Sequence, residues 1–176
     1  MLELLQQRRS VRKYKSQPVE PEKIALLSEA LLRAPSSRNF QPCEFILVDD
    51  PEKLQHLAIA KAHGTSFFAS APLAIVIGAD PQKSDVWIED SSIAAIIVQL
   101  AAESQGLKSC WAQLRLRKHD DDTSASEFVR QLVGLPEGME VPMVIAVGYA
   151  DIEVPGHPRE ELSDNKIHKN QYNQEK

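Results

Sequence analysis

Arg8-Arg9-Ser10-Val11-Arg12-Lys13-Tyr14 sets four cations within six residues, with a hydroxyl among them. Like charges at that density repel one another unless an anion sits between them. Part of the charge could complement the end of the short amphipathic helix that Leu2, Leu4 and Leu5 begin, an effect of about 0.3–1 kcal/mol. The same guanidinium forks and hydroxyl are equally the donors of a phosphate site. On the residues alone, a solvated basic face and an anion cradle both stand.

A second polar stretch, Ala34-Pro35-Ser36-Ser37-Arg38-Asn39-Phe40-Gln41-Pro42, is bounded by prolines and reads as a loop. Its amides donate and accept, which suits the edge of a heteroaromatic ring, although Asn39 also serves simple turn formation. Elsewhere the chemistry thins out. Cys110 reads as a small core residue, and Cys43 with it as a free thiol. His119-Asp120-Asp121-Asp122 reads as a solvated loop, because four consecutive side chains point in different directions. Gly78-Ala79-Asp80 lacks the spacing of a dinucleotide fingerprint. No acid–base dyad stands out.

The elements that must position these residues follow from periodicity. Pro21 opens a helix through Arg33, with Ile24, Leu27, Ala30 and Leu31 on its face. Cys43–Val48 is β-rich, and Asp50 caps a helix running from Pro51 to about Ala62. Phe67 and Phe68 read as core. Pro72–Gly78 and Pro142–Tyr149 are continuous apolar runs expected of interior strands, and Leu107–Leu114 reads as a third buried strand holding Cys110 and Trp111. Ser124-Ala125-Ser126-Glu127 is a capping box opening a helix to Gly134.

The longest element is predicted over Ile88–Gln105, about 27 Å of helix stopped by Gly106. Ile93, Ile96, Ile97, Leu100 and Ala101 share one face, and Ala94, Ala95, Val98 and Ala102 fill the gaps. Such a helix is expected in the core, either alone or with a partner chain against its small alanine face. Ser91, Ser92, Gln99 and Glu103 interrupt it too often for a membrane span. Beyond Asp151 the periodicity ends, so 151–176 is expected to be disordered or laid across another surface.

The chain's 176 residues suffice for one domain with a real core. A net charge of −5 argues against a dedicated nucleic-acid binder. Free thiols and the lack of a leader-like apolar run at the start lead to the expectation of a cytoplasmic protein.

In order and spacing these pieces resemble the flavin-dependent nitroreductase family. The resemblance rests on the Arg8–Tyr14 and Ala34–Pro42 stretches, on Glu89-Asp90-Ser91-Ser92-Ile93-Ala94, on Gly106-Leu107-Lys108-Ser109-Cys110-Trp111, and on the strand Pro142 to Gly148. It implies an α+β fold with a central, mostly antiparallel sheet flanked by helices. It also implies a homodimer with FMN at the subunit interface and C-terminal arms, 151–176, exchanged between protomers. Carried over by position, Arg8, Ser10 and Arg12, with Arg9 close by, would hold the flavin phosphate and ribityl chain. Asn39 and Gln41 would meet the ring, on the flavin of the opposite subunit. The backbone of Gln113 and Leu114 would lie near its reactive face, and Lys166 or Lys169 would add a second phosphate cation. The implied activity is ping-pong: NADH or NADPH reduces the flavin and leaves, then a nitroaromatic, quinone or free flavin takes the electrons. A flavin-binding or flavin-handling protein without sustained turnover is the alternative. The short stretch between Ala62 and Pro72 leaves little room for a lid, so the acceptor slot is expected to be open or shaped by the partner.

Overall fold

The computed structural model describes residues 1–172, and the last four residues of the predicted arm lie outside them. Its centre is a four-stranded sheet of β1 (Cys43–Val48), β2 (Leu73–Ala79), β3 (Lys108–Gln113) and β4 (Glu140–Gly148). The order is β1-β2-β4-β3 and every pairing is antiparallel. Strand alternation sorts the side chains into two layers. Ile75, Ile77, Met143, Ile145 and Val147 face α2 (Pro21–Leu32) and α4 (Trp87–Ser104), with Leu27, Leu31, Ala95, Val98 and Ala102 packed against them. Ala74, Val76, Val144, Ala146, Cys110 and Ala112 face the other layer, built on α3 (Pro51–Ala58), the Phe67–Phe68 turn and α5 (Ala125–Leu132).

Local signals hold where side chain and backbone are neighbours. The Asp50 carboxylate accepts from the Glu52 and Lys53 amides, and Ser124 Oγ accepts from the Glu127 amide, so both helices begin where their caps stand. Gly106 ends the long helix at φ +72°. Phe67 and Phe68 are core residues.

Three expectations need correction. The helix after Asp50 ends at Ala58 rather than Ala62. The buried Thr65 hydroxyl donates to the Ala58 and Lys61 carbonyls and folds the chain back there. The strand around Cys110 is an edge strand, which leaves Trp111 half-buried. The long helix is turned relative to the reading from its bulkiest residues. Its alanine face is the buried one, with Ala95, Val98 and Ala102 fully enclosed, whereas Ile93 and Ile96 are 38% and 37% exposed. Small residues let a helix approach the sheet closely, and the isoleucines are left outward. No partner chain can lie on that alanine face.

This orientation is testable. Ala95→Leu overpacks the helix–sheet contact and is expected to cost about 1–3 kcal/mol in chemical denaturation. An unchanged midpoint would mean the helix presents another face.

Candidate functional site

The Arg8–Tyr14 segment is sewn to one edge of the sheet. The Val11 amide donates to the Ser109 carbonyl at 3.0 Å, and Ser10 pairs with Ser109 in a single parallel bridge. Further along, the Lys15 amide donates to Tyr149 and the Asp151 amide to Lys13. Tyr14 locks the turn between these ties: its buried hydroxyl donates to the Val11 carbonyl at 2.6 Å, and burial pushes the phenol far above its usual range. The backbone is thereby fixed while Ser10 and Arg12 stay exposed and Arg8 half-buried. Arg9 donates to the Pro155 carbonyl at 2.5 Å, holding the start of the tail against this segment.

Cys110, on β3, marks where the positive charge converges. Burial pushes its thiol up, and Arg12, Arg8 and Lys61 oppose that push in that order. Lys61 comes from the turn after α3, and its Nζ donates to the Gln113 carbonyl at 2.8 Å. Burial, with the Arg117 guanidinium next in effect, holds the Lys61 ammonium below the usual lysine range. Among the described residues, none of Arg8, Arg12 and Lys61 has a carboxylate at ion-pair distance. From Ser109 to Gln113 this basic edge runs about 14 Å along the strand. Beside it, an open groove of about 520 Å³ lies between Arg12–Tyr14 and the turn at Gly64, Ser66 and Phe67.

The second polar stretch lies at the opposite edge, immediately before β1. Arg38, Asn39 and Gln41 all take left-handed backbone conformations, at φ 51°, 57° and 47°. Each costs a non-glycine residue roughly 1–2 kcal/mol, so the loop must be held from outside. Asp90, buried at the start of α4, accepts from the Ser37 amide at 2.8 Å and from the Ser84 hydroxyl at 2.9 Å. Ser36 Oγ accepts from the Gln41 amide. Arg38 pairs with Asp85 and lies 4.6 Å over the Phe40 ring. Asn39 and Gln41 are held rigid, yet exposed.

One chain therefore does not bring all of the sequence-predicted site residues together. Arg8, Ser10, Arg12, Gln113 and Leu114 share the β3 edge, whereas Asn39 and Gln41 sit three strand spacings away, about 14 Å across the sheet. Gln113 is exposed and Leu114 fully buried, its amide donating to Pro142. Lys166 and Lys169 stand on the exposed tail. Lys61 had no place in the sequence reading, because nothing in Ala60-Lys61-Ala62 signals that a turn carries it to the end of β3. His119 stacks on Phe128 at 3.8 Å, and no cluster of metal-ligating side chains exists among the described residues.

The model of the nitroreductase family matches residues 5–65 and 57–149, the whole sheet and both polar edges above. The chain belongs to the nitroreductase family. Over 176 residues it is 31% identical to an Archaeoglobus fulgidus protein named for NADH dehydrogenase and NAD(P)H nitroreductase activity, covering 97% of this chain and 98% of that one. A solved FMN-dependent nitroreductase from Clostridium difficile R20291 superposes with a TM-score of 0.95 at 44% identity, over 98% of this chain and 100% of that one. The NADPH:FMN oxidoreductase of Vibrio harveyi, solved in complex with NAD+, gives 0.77 at 25% identity, over 99% and 79%. This nitroreductase-family chain is thus an oxidoreductase by membership, and its four-stranded antiparallel sheet flanked by helices is the fold of its structural neighbours.

The burial of Cys110 gives a direct check on the basic edge. Its raised thiol and its 1% exposure predict that a thiol-specific disulfide reagent labels it at neutral pH only after unfolding. Rapid labelling of Cys110 in the folded protein, mapped by mass spectrometry, would contradict the packing described.

Proposed function

We propose that this chain is an FMN-dependent NAD(P)H oxidoreductase acting as a homodimer, with each flavin between two subunits. The observation that carries the reading is the line of cations along the β3 edge, Arg8, Arg12 and Lys61, none of which has a carboxylate at ion-pair distance among the described residues. Its donor set suits a phosphomonoester at one end: two guanidinium forks and the Ser10 hydroxyl, on a backbone already fixed by Ser109. The remaining length of the strand, up to Gln113 and Leu114, suits the ribityl chain and the ring. When bound, FMN would supply the ring that takes two electrons from NADH or NADPH and passes them to a small oxidised acceptor, such as a nitroaromatic, quinone or free flavin.

The chain's own part is binding and orientation. Arg8 and Arg12 neutralise the phosphate and set its register, and Ser10 adds a neutral donor. Asn39 and Gln41 reach the ring of the partner's flavin, their rigid loop avoiding the entropy of ordering two flexible amides on binding. Two features support a second copy. Ile93 and Ile96 on α4, Leu26 and Leu32 on α2, and Leu2 and Leu5 on α1 (Leu2–Gln7) are all exposed on helices that pack side by side. The tail carries Ile152, Leu162, Ile167 and Tyr172 to solvent, as an arm exchanged between protomers would before docking. In that arrangement Lys166 or Lys169 brings a further cation to the phosphate, and Arg9 serves by anchoring the root of the arm. The scheme is ping-pong, with both substrates using one open slot, and such a scheme needs no dedicated acid–base dyad.

The test is a visible spectrum of the purified protein before and after anaerobic NADH, then NADPH. A flavin spectrum that either donor bleaches is expected, and Arg8→Ala with Arg12→Ala should weaken FMN binding by roughly 10–100-fold per residue without unfolding. A flavin that neither donor reduces would move the reading to flavin handling. A colourless protein that FMN does not reconstitute would overturn it.

A further inference from the structure

Five residues other than glycine hold left-handed backbone among the described residues: Arg38, Asn39, Gln41, Leu116 and Asn170. The first three form the braced loop before β1, and an asparagine such as Asn170 tolerates that conformation. Leu116, at φ 59°, is the remaining case and the one apolar side chain of the five. It stands third in a turn that the Arg117 amide closes on the Leu114 carbonyl at 2.9 Å. Turns with positive φ at that position favour glycine or asparagine, because a larger side chain strains the backbone. Bonds on both sides hold the turn in place. The Leu114 and Arg115 amides share the Pro142 carbonyl, at 2.9 and 3.1 Å, and the Ala125 amide donates to the Arg117 carbonyl. Leu114 is fully buried, so the turn cannot roll inward, and Leu116 is left 76% exposed. Two costs thus fall on one residue, backbone strain and apolar surface in water, and the folded chain recovers neither.

The turn directly follows Gln113, at the end of β3 where Lys61 arrives. It belongs to the α3 and α5 layer, whose core includes Leu114 and Ala125. The exposed apolar residues offered to a second copy stand instead on α1, α2 and α4. We infer that Leu116 is a substrate-contacting residue, an apolar wall of the open slot that packs against the planar aromatic ring of the acceptor and sets the preference for such rings. The inference rests on the flavin reading above, which puts the flavin ring beside Gln113 and Leu114, and it names a residue for the second substrate. Glycine in this turn would remove the strain, but it would leave the slot without that wall. Because both substrates use one slot, the nicotinamide ring meets the same side chain.

The experiment compares the FMN-loaded wild type with Leu116→Gly, Leu116→Asn and Leu116→Met. Benzamide, a planar ring that supplies no electrons, is titrated into the oxidised protein and followed by the flavin absorbance. The KM for nitrobenzene is measured alongside, and chemical denaturation gives the midpoint of each variant. Leu116→Gly and Leu116→Asn are expected to raise the benzamide Kd and the nitrobenzene KM roughly tenfold, the loss of one branched aliphatic contact, with the FMN Kd unchanged. Both should denature at the wild-type midpoint or above it, because the strain is relieved. Leu116→Met keeps an apolar side chain and should recover most of the binding. Unchanged benzamide and nitrobenzene constants in flavin-loaded variants would overturn the role of Leu116 and leave the flavin reading intact. A lower midpoint in both relieved variants would make Leu116 a residue of the fold, and a dimer lost only in the variants would make it a subunit contact. Either result overturns the inference. A wild type that takes up no FMN would overturn both readings together.

Discussion

Two strands separate β1 from β3, and an antiparallel ladder fixes that separation at about 4.8 Å per step. Neither loop motion nor side-chain rotation closes such a gap, because the sheet between the edges is buried on both faces. The basic segment is stitched to one edge by the Val11–Ser109 bond, and the Asn39–Gln41 loop is braced at the other by Asp90. Each edge is held in place, and in the proposed reading each carries only part of the flavin site. A composite site between two copies resolves that geometry without either half moving, and the outward isoleucines of α4 offer apolar surface for such an encounter.

The electrostatics follow from the same layout. In a chain with a net charge of −5, the sheet edge gathers Arg8, Arg12 and Lys61 with no carboxylate at ion-pair distance among the described residues. Burial, not the cations, raises the Cys110 thiol, and Arg12, Arg8 and Lys61 oppose that push, whereas burial first and Arg117 next lower the Lys61 ammonium. Where the protein needs neutrality it supplies it. Glu103, buried on α4, is paired with Lys108, and Tyr149 bonds both Glu20 and Lys23.

What the sequence made legible was whatever the chain decides locally. Cys43–Val48 matched its strand residue for residue, and Asp50, Ser124 and Gly106 marked helix ends through contacts within a few residues. The long helix was recognised but its buried face was misjudged. Its isoleucine and alanine stripes have the same period, so periodicity could not say which one meets the sheet. Close approach selected the small residues, and that is a tertiary fact. Of the proposed site, Arg8, Ser10 and Arg12 were visible because they are adjacent in sequence. Lys61 was invisible because only the fold carries it to β3. The separation of Asn39 and Gln41 from the cations was likewise unreadable without the strand order.

The measurement that tests the composite site most directly uses two defective chains. One carries Arg8→Ala and Arg12→Ala, the other Asn39→Ala and Gln41→Ala, and the mixed dimer is purified through different tags. A site built from both subunits leaves one interface doubly defective and the other intact, so the mixed dimer should regain about half of the wild-type flavin content. A mixed dimer as poor in flavin as its parents would contradict the account.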